Sequence, residues 1–136
     1  MKTQIATTKE QSQRLLECMV NSNTADMYAD NYDALWDVPF KDCCRKKEVG
    51  FSPAWSLSAL LSLLPTEIKE DNGSFDEIST YGLLIYPYMQ GWQIDYQYCK
   101  DDECHCLKCI HDFDLIEACV KAIEWLTKNG YTLNVK

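Results

Sequence analysis

The sequence predicts an α+β fold: an N-terminal helix, a short central helix and a C-terminal helix packed on a mainly antiparallel sheet built around residues 80 to 99. Three observations carry this expectation. Apolar residues recur at helical spacing near the start, in the middle and near the end of the chain. Between the second and third of these segments, TYGLLIYPYM and GWQIDYQYC shift to a period of two and meet at Gln90-Gly91, as consecutive antiparallel strands do. The 136 residues, 46% of them hydrophobic and 12% aromatic, suffice for one packed core, so residues 1–136 are expected to form a single domain.

The first helix is expected over roughly residues 8–20. Thr7-Thr8-Lys9-Glu10 has the Thr-x-x-Glu form of a capping box, in which a hydroxyl and a carboxylate satisfy exposed backbone N–H groups. Leu15, Leu16, Met19 and Val20 supply its apolar face, and Asn21 to Asn23 suit its exit. Residues 24–40 admit two structures. Asp26, Asp30, Asp33 and Asp37 recur at helical spacing opposite Tyr28, Tyr32, Leu35 and Trp36, whereas the aromatics and Asn31 also permit two short strands. As a helix face the acidic stripe could imitate a phosphate backbone and engage a DNA-binding protein; an ordinary solvated face is the favoured alternative.

PAWSLSALLSLLP encodes the central helix. Ser56 caps it, Leu57, Leu60, Leu61 and Leu64 share a face, Trp55 and Leu60 occupy the positions of a hydrophobic staple, and Pro65 ends it. The leucine stripe reads as core rather than as a partner groove. The last helix starts at Asp114, with Glu117 placed for a capping box, and stops at Asn129-Gly130. Ile116, Cys119, Val120, Ile123 and Leu126 form its apolar face; Lys121, Glu124 and Lys128 lie away from it. Cys119, and Cys18 on the first helix, read as small buried hydrophobes.

In the second strand Trp92, Ile94, Tyr96 and Tyr98 point one way and Gln93, Asp95, Gln97 and Cys99 the other, so one sheet face is covered and one is wet. The preceding strand is apolar on both faces until Pro87, where an irregularity is expected. TEIKE and a short segment around Leu107 to Phe113 add flanking strands.

Charge and composition exclude several functions. A net charge of −8 opposes nonspecific binding to nucleic acid, and the basic cluster Arg45-Lys46-Lys47 is a short run of the kind found in solvated loops. MKTQIATTKEQ lacks the apolar core of a signal peptide, and no segment approaches the ~18 apolar residues of a membrane span. A cytoplasmic location without membrane contact is therefore expected, and Asn72-Gly73-Ser74 reads as a turn rather than a glycosylation site. Walker, Rossmann, nucleophile-elbow and HExxH motifs are absent from the sequence. The acidic neighbours Asp101, Asp102 and Glu103 would hinder rather than activate a nucleophilic thiol.

The chemically suggestive stretch is CKDDECHCLKCIH, residues 99–111, with four of the chain's eight cysteines and both histidines. A structural zinc site gathers four thiolate or imidazole ligands, often as two Cys-x(2–4)-Cys knuckles. Cys99, Cys104, Cys106 and Cys109 are the candidate ligands, with His105 or His111 as substitutes and Cys43-Cys44 as a distant complement. Only Cys106-x-x-Cys109 has the two-residue knuckle spacing. If Leu107 and Phe113 face the core, strand parity sends Cys109 and His111 inward with them and Cys106 outward near Cys99, where Cys99, Cys104 and Cys106 could form an outward trio. In a reducing compartment, ordinary thiols on a hairpin are the expectation, ahead of zinc or a reversible disulfide.

TKEQSQRLLE, NTADM, PAWSLSALLSLLP and DLIEACVKAIEWLTKNGY, in this order, resemble a family of small uncharacterised proteins encoded by phages and mobile elements of gut Bacteroidota. The resemblance spans most of the chain. It implies a cytoplasmic, element-encoded accessory protein and supplies no functional residues. Together these features lead us to expect a noncatalytic factor that binds an unidentified protein partner without a cofactor. The alternative is a small structural zinc-binding module centred on Cys99 to His111.

Overall fold

The computed structural model describes residues 4–29, 35–36, 52–71, 78–100 and 102–134. Its architecture is α+β. Four strands, β4 (Glu67–Asp71), β5 (Ile78–Tyr88), β6 (Gly91–Lys100) and β7 (Glu103–Asp112), pair antiparallel in sequence order. A smaller antiparallel sheet, ordered β2-β1-β3, contains β1 (Met27–Ala29), β2 (Leu35–Trp36) and β3 (Ser52–Ala54). The described parts of the segment that admitted helix or strands are thus strands, preceded by a single 3-10 turn at Ser22–Thr24.

Helix α1 (Lys9–Glu17) begins one residue later than its expected capping box. Thr8, not Thr7, is the N-cap, and Gln11 rather than Glu10 closes the box. Thr7 is buried instead: its hydroxyl accepts the Trp55 N–H at 3.0 Å and pairs with the Ser12 hydroxyl at 2.8 Å. A long-range tie between Ala6-Thr7 and Trp55-Ser56 therefore takes precedence over the local motif.

Helix α2 (Leu57–Leu63) is capped by Ser56 as expected. The Ser56 N–H donates to Asp26 at 2.8 Å, so Asp26 supports this cap rather than serving as part of an open acidic stripe. Trp55, Leu60, Leu63 and Leu64 are buried; Leu61, expected on the core face, is exposed, and Leu63 packs inward in its stead. Helix α3 (Leu115–Lys128) is N-capped by Asp114, ends at Asn129, and is followed by Gly130 at φ +79°. It contacts α1, α2, β6 and β7. Accordingly Ile116, Ala118, Cys119, Val120, Ala122, Ile123 and Leu126 are all buried, covering an arc of roughly 200° at 100° per residue.

The core-facing side of the sheet presents Ile94, Tyr96 and Ile110 to this helix. Tyr96 stacks on Trp125, and its hydroxyl donates to the Pro65 carbonyl at 2.9 Å. Two expectations about the strands need correction. β5 runs through Pro87 to Tyr88, in a half of the strand beyond its pairing with β4, and β7 begins four residues before the segment anticipated and stops at Asp112. Asp30, Asp33, Asp37, Cys43-Cys44, Arg45-Lys46-Lys47 and Asn72-Gly73-Ser74 lie outside the described residues.

Candidate functional site

Helix α3 covers one face of the larger sheet; the other carries the unusual chemistry. From β6 it receives Gln93, Asp95, Gln97 and Cys99 by simple alternation. What β7 contributes depends on a bulge. Tyr96 pairs with Lys108 but Gln97 pairs with Cys106, leaving Leu107 as an extra residue. The extra residue reverses parity. Opposite residues in a ladder point to the same side, so Cys109 opposite Asp95, Cys106 opposite Gln97 and Cys104 opposite Cys99 all share one face.

This corrects the expected orientation of Cys109, which was assigned inward and is exposed on the open face with the other three cysteines. Phe113, whose inward placement was the premise of that reading, is 74% exposed, and His111, opposite Gln93, shares the open face. Ile110 takes the core position instead. The thiols are paired: Cys99 with Cys104 across the hairpin, and Cys106 with Cys109 across the bulge, with Cα separations of 4.1 and 6.6 Å. The expectation of ordinary thiols is replaced by two neighbouring disulfides. Among the described residues Cys18 and Cys119 are free; burial pushes the Cys119 thiol up to about 12, consistent with an inert core residue.

At the centre of the face lies a residue that strand alternation assigned to water. Asp95 is 1% exposed. Its carboxylate accepts the Tyr86 hydroxyl at 2.5 Å and the side-chain amides of Gln93 at 2.9 Å and Gln97 at 2.7 Å. Donation to Asp95 pushes the Tyr86 phenol up to about 12. The sequence signal was present in QIDYQ, where an acid sits between two amides on the same strand face, but its partner Tyr86 is on another strand.

Asp95, Cys106 and Cys109 bring one ligand-type atom each to within 4.8 Å of one another. Among the described residues this is the group with metal-ligand character. Of the four cysteines nominated from sequence, Cys106 and Cys109 belong to it, whereas Cys99 and Cys104 fall outside. The substitutes His105 and His111 also lie elsewhere. His105 stacks on Tyr98 on the opposite side of the hairpin, and His111 belongs to an aromatic row.

That row occupies the turn end of the open face. Tyr86 and Tyr88 meet edge-on at 6.3 Å, Tyr88 and His111 at 6.2 Å, and His111 and Phe113 at 5.6 Å. His111 Nε2 hydrogen-bonds with the Tyr88 carbonyl at 2.9 Å, which ties β7 to the end of β5 across β6. Leu84, Tyr88 and Met89 extend the exposed apolar surface. Along the edge of β7 a cleft of about 400 Å³ runs beneath α3, lined by Lys108, His111, Lys121, Trp125 and Lys128. Lys108 lies on this edge strand, where a charged side chain discourages pairing with a foreign strand.

Compared with protein-family models, curated proteins and solved structures, the chain finds no match in any of the three. Fold and site define an α+β domain with one sheet face buried by helices and the other carrying cysteines and aromatics. Among the described residues no helix is long and apolar enough to cross a membrane.

Proposed function

We propose that this chain is a noncatalytic protein-binding accessory factor of a phage or mobile element, acting in the host cytoplasm through the open face of its larger sheet. One observation supports the binding role: the row Tyr86, Tyr88, His111 and Phe113 leaves large aromatic surface in water, with Tyr88 53% and Phe113 74% exposed. Tyrosine and phenylalanine anchor protein interfaces because they bury much area at little cost in conformational freedom. The row is held in place by mutual ring contacts and the His111 hydrogen bond, so little ordering is required on binding. A chain charge of −8 favours a basic protein as partner.

The test is affinity purification from the native bacterium with wild type and the Tyr88→Ala/Phe113→Ala variant. Both substitutions remove exposed rings, so the variant should keep the wild-type melting temperature while losing a partner that wild type retains stoichiometrically. Equal retention by both proteins would remove the face from consideration. A reproducible turnover abolished by one substitution on this face would replace the noncatalytic assignment altogether.

A further inference from the structure

We propose that the chemically reduced chain binds one zinc-class divalent metal ion through Cys106, Cys109 and Asp95, and that the Cys106–Cys109 disulfide is the metal-free state of the same site. This rests on the sheet geometry and is independent of any protein partner. The bulge at Leu107 brings two cysteines of Cys-x-x-Cys spacing to one side of the sheet, beside the carboxylate of Asp95, with the three ligand atoms within 4.8 Å. Once the sulfur–sulfur bond is broken, the two sulfurs can separate to the ~3.7 Å that Zn–S bonds of ~2.3 Å imply at tetrahedral angles.

Asp95 is suited to the third position. A carboxylate has about four acceptor sites, and hydrogen bonds from Tyr86, Gln93 and Gln97 occupy three, leaving one for a metal. These donors fix the carboxylate as outer partners of a metal ligand do. They are neutral, so the buried negative charge gains from a cation placed against its remaining site. Two thiolates and one carboxylate give a soft-to-borderline donor set that suits zinc or cobalt better than magnesium or calcium. Solvent would take the fourth position.

The redox step balances with a small dithiol as the reductant. Two electrons and two protons pass from it to the Cys106–Cys109 bond, which becomes two thiols while the dithiol closes to its own disulfide. The incoming divalent ion then displaces the two thiol protons to solvent. Reduction should leave the fold intact, because both disulfides join residues of the β6–β7 hairpin or of β7 itself, which the strand ladder already holds.

Cobalt(II) and zinc(II) are the probes. Reduced, metal-free wild type is titrated with cobalt(II) anaerobically, then with zinc(II) in competition, alongside oxidised protein; circular dichroism monitors the fold. We expect a thiolate-to-cobalt charge-transfer band saturating at one equivalent in reduced wild type and in Cys99→Ser/Cys104→Ser. The band should be absent from oxidised protein and from Cys106→Ser/Cys109→Ser, and Asp95→Asn should weaken binding by roughly tenfold or more. Cadmium-113 NMR of the reduced wild type reads the donor set without any substitution and should report two sulfurs. The absence of a band from reduced wild type, a four-sulfur cadmium shift, or loss of binding in folded Cys99→Ser/Cys104→Ser would overturn the proposal.

Discussion

Arg14 shows how much a single side chain can organise. It sits on α1, yet its guanidinium grips two carboxylates of α3, donating to Glu117 at 2.7 and 3.0 Å and to Glu124 at 3.3 Å, with a further ion-pair contact to Glu124. Gln11 Nε2 adds a bond to Glu117 at 3.0 Å. Burial alone would raise the Glu117 pKa, but hydrogen bonds from Arg14 and Gln11 outweigh it and the net shift is downward. A depressed folded pKa means that the contribution is complete above the unfolded value and is lost as pH falls through the folded one. Glu117→Gln should therefore destabilise the protein by about 1 kcal/mol at pH 7, the groups being only partly buried. Denaturant titrations of variant and wild type should converge as pH is lowered below the ordinary glutamate range. A constant gap across that range would show that Glu117 contributes by packing rather than by charge. None of these partners is visible from spacing: Glu117 looks like half of a local capping box, and its actual partners lie on α1.

Helices α2 and α3 and the β5–β6 hairpin were largely legible because their signals are local, whereas α1 stops at Glu17, short of Met19, which is 89% exposed and no part of its apolar face. Ser56, Asp114 and Asn129-Gly130 punctuate helices where expected, and the alternation in GWQIDYQYC correctly separates Ile94 and Tyr96 from the opposite face. The candidate site was not, because it depends on one inserted residue. Leu107 is an ordinary β-former, and nothing in DECHCLKCIHD marks it as unpaired until β6 supplies the register. The hairpin's turn makes its own demand. Met89 and Gln90 have φ values of +50° and +62°, the left-handed conformation that two-residue hairpin turns favour and that Asn and Gly adopt more readily. Met89→Asn/Gln90→Gly should raise stability by about 1 kcal/mol, read as a higher Tm. Gly91 carries the opposite expectation. A Cβ there would stand 2.5 Å from the Asp112 carbonyl oxygen and 2.9 Å from the Phe113 Cα, both backbone atoms. Gly91→Ala should cost ~1–3 kcal/mol, and an unchanged Tm would show that β7 yields easily at this end.

Across the whole molecule, α3 is the common element: the sheet, α1 and α2 all pack against it. Ile123 on α3 and Leu60 on α2 are both 0% exposed and belong to one core cluster. An aspartate at either position would be a buried charge with no partner, a cost of several kcal/mol and comparable to the total stability of a small domain. Leu60→Asp and Ile123→Asp should each abolish the cooperative melt, and near-ultraviolet circular dichroism should lose its tertiary signal. Wild-type melting by both variants would reject this core. The overall class was legible since helix and strand periods occupy separate stretches, whereas the tie between Ala6-Thr7 and Trp55-Ser56 was not, because partners some 50 residues apart leave no periodic trace.

The sequential order of β4 to β7 also bears on the order in which structure can form. Each strand finds its neighbour in the next segment of chain, so the sheet closes through short loops at low entropic cost. Helix α1, in contrast, meets Glu117 and Glu124 only after more than 100 intervening residues. Synthesised from the N-terminus, the chain exposes α1 first and gives it its final partners last. In pulse-labelling hydrogen exchange, amides of β5 and β6 should gain protection before those of α1, and the N-terminal helix should be the last part of the chain to become native.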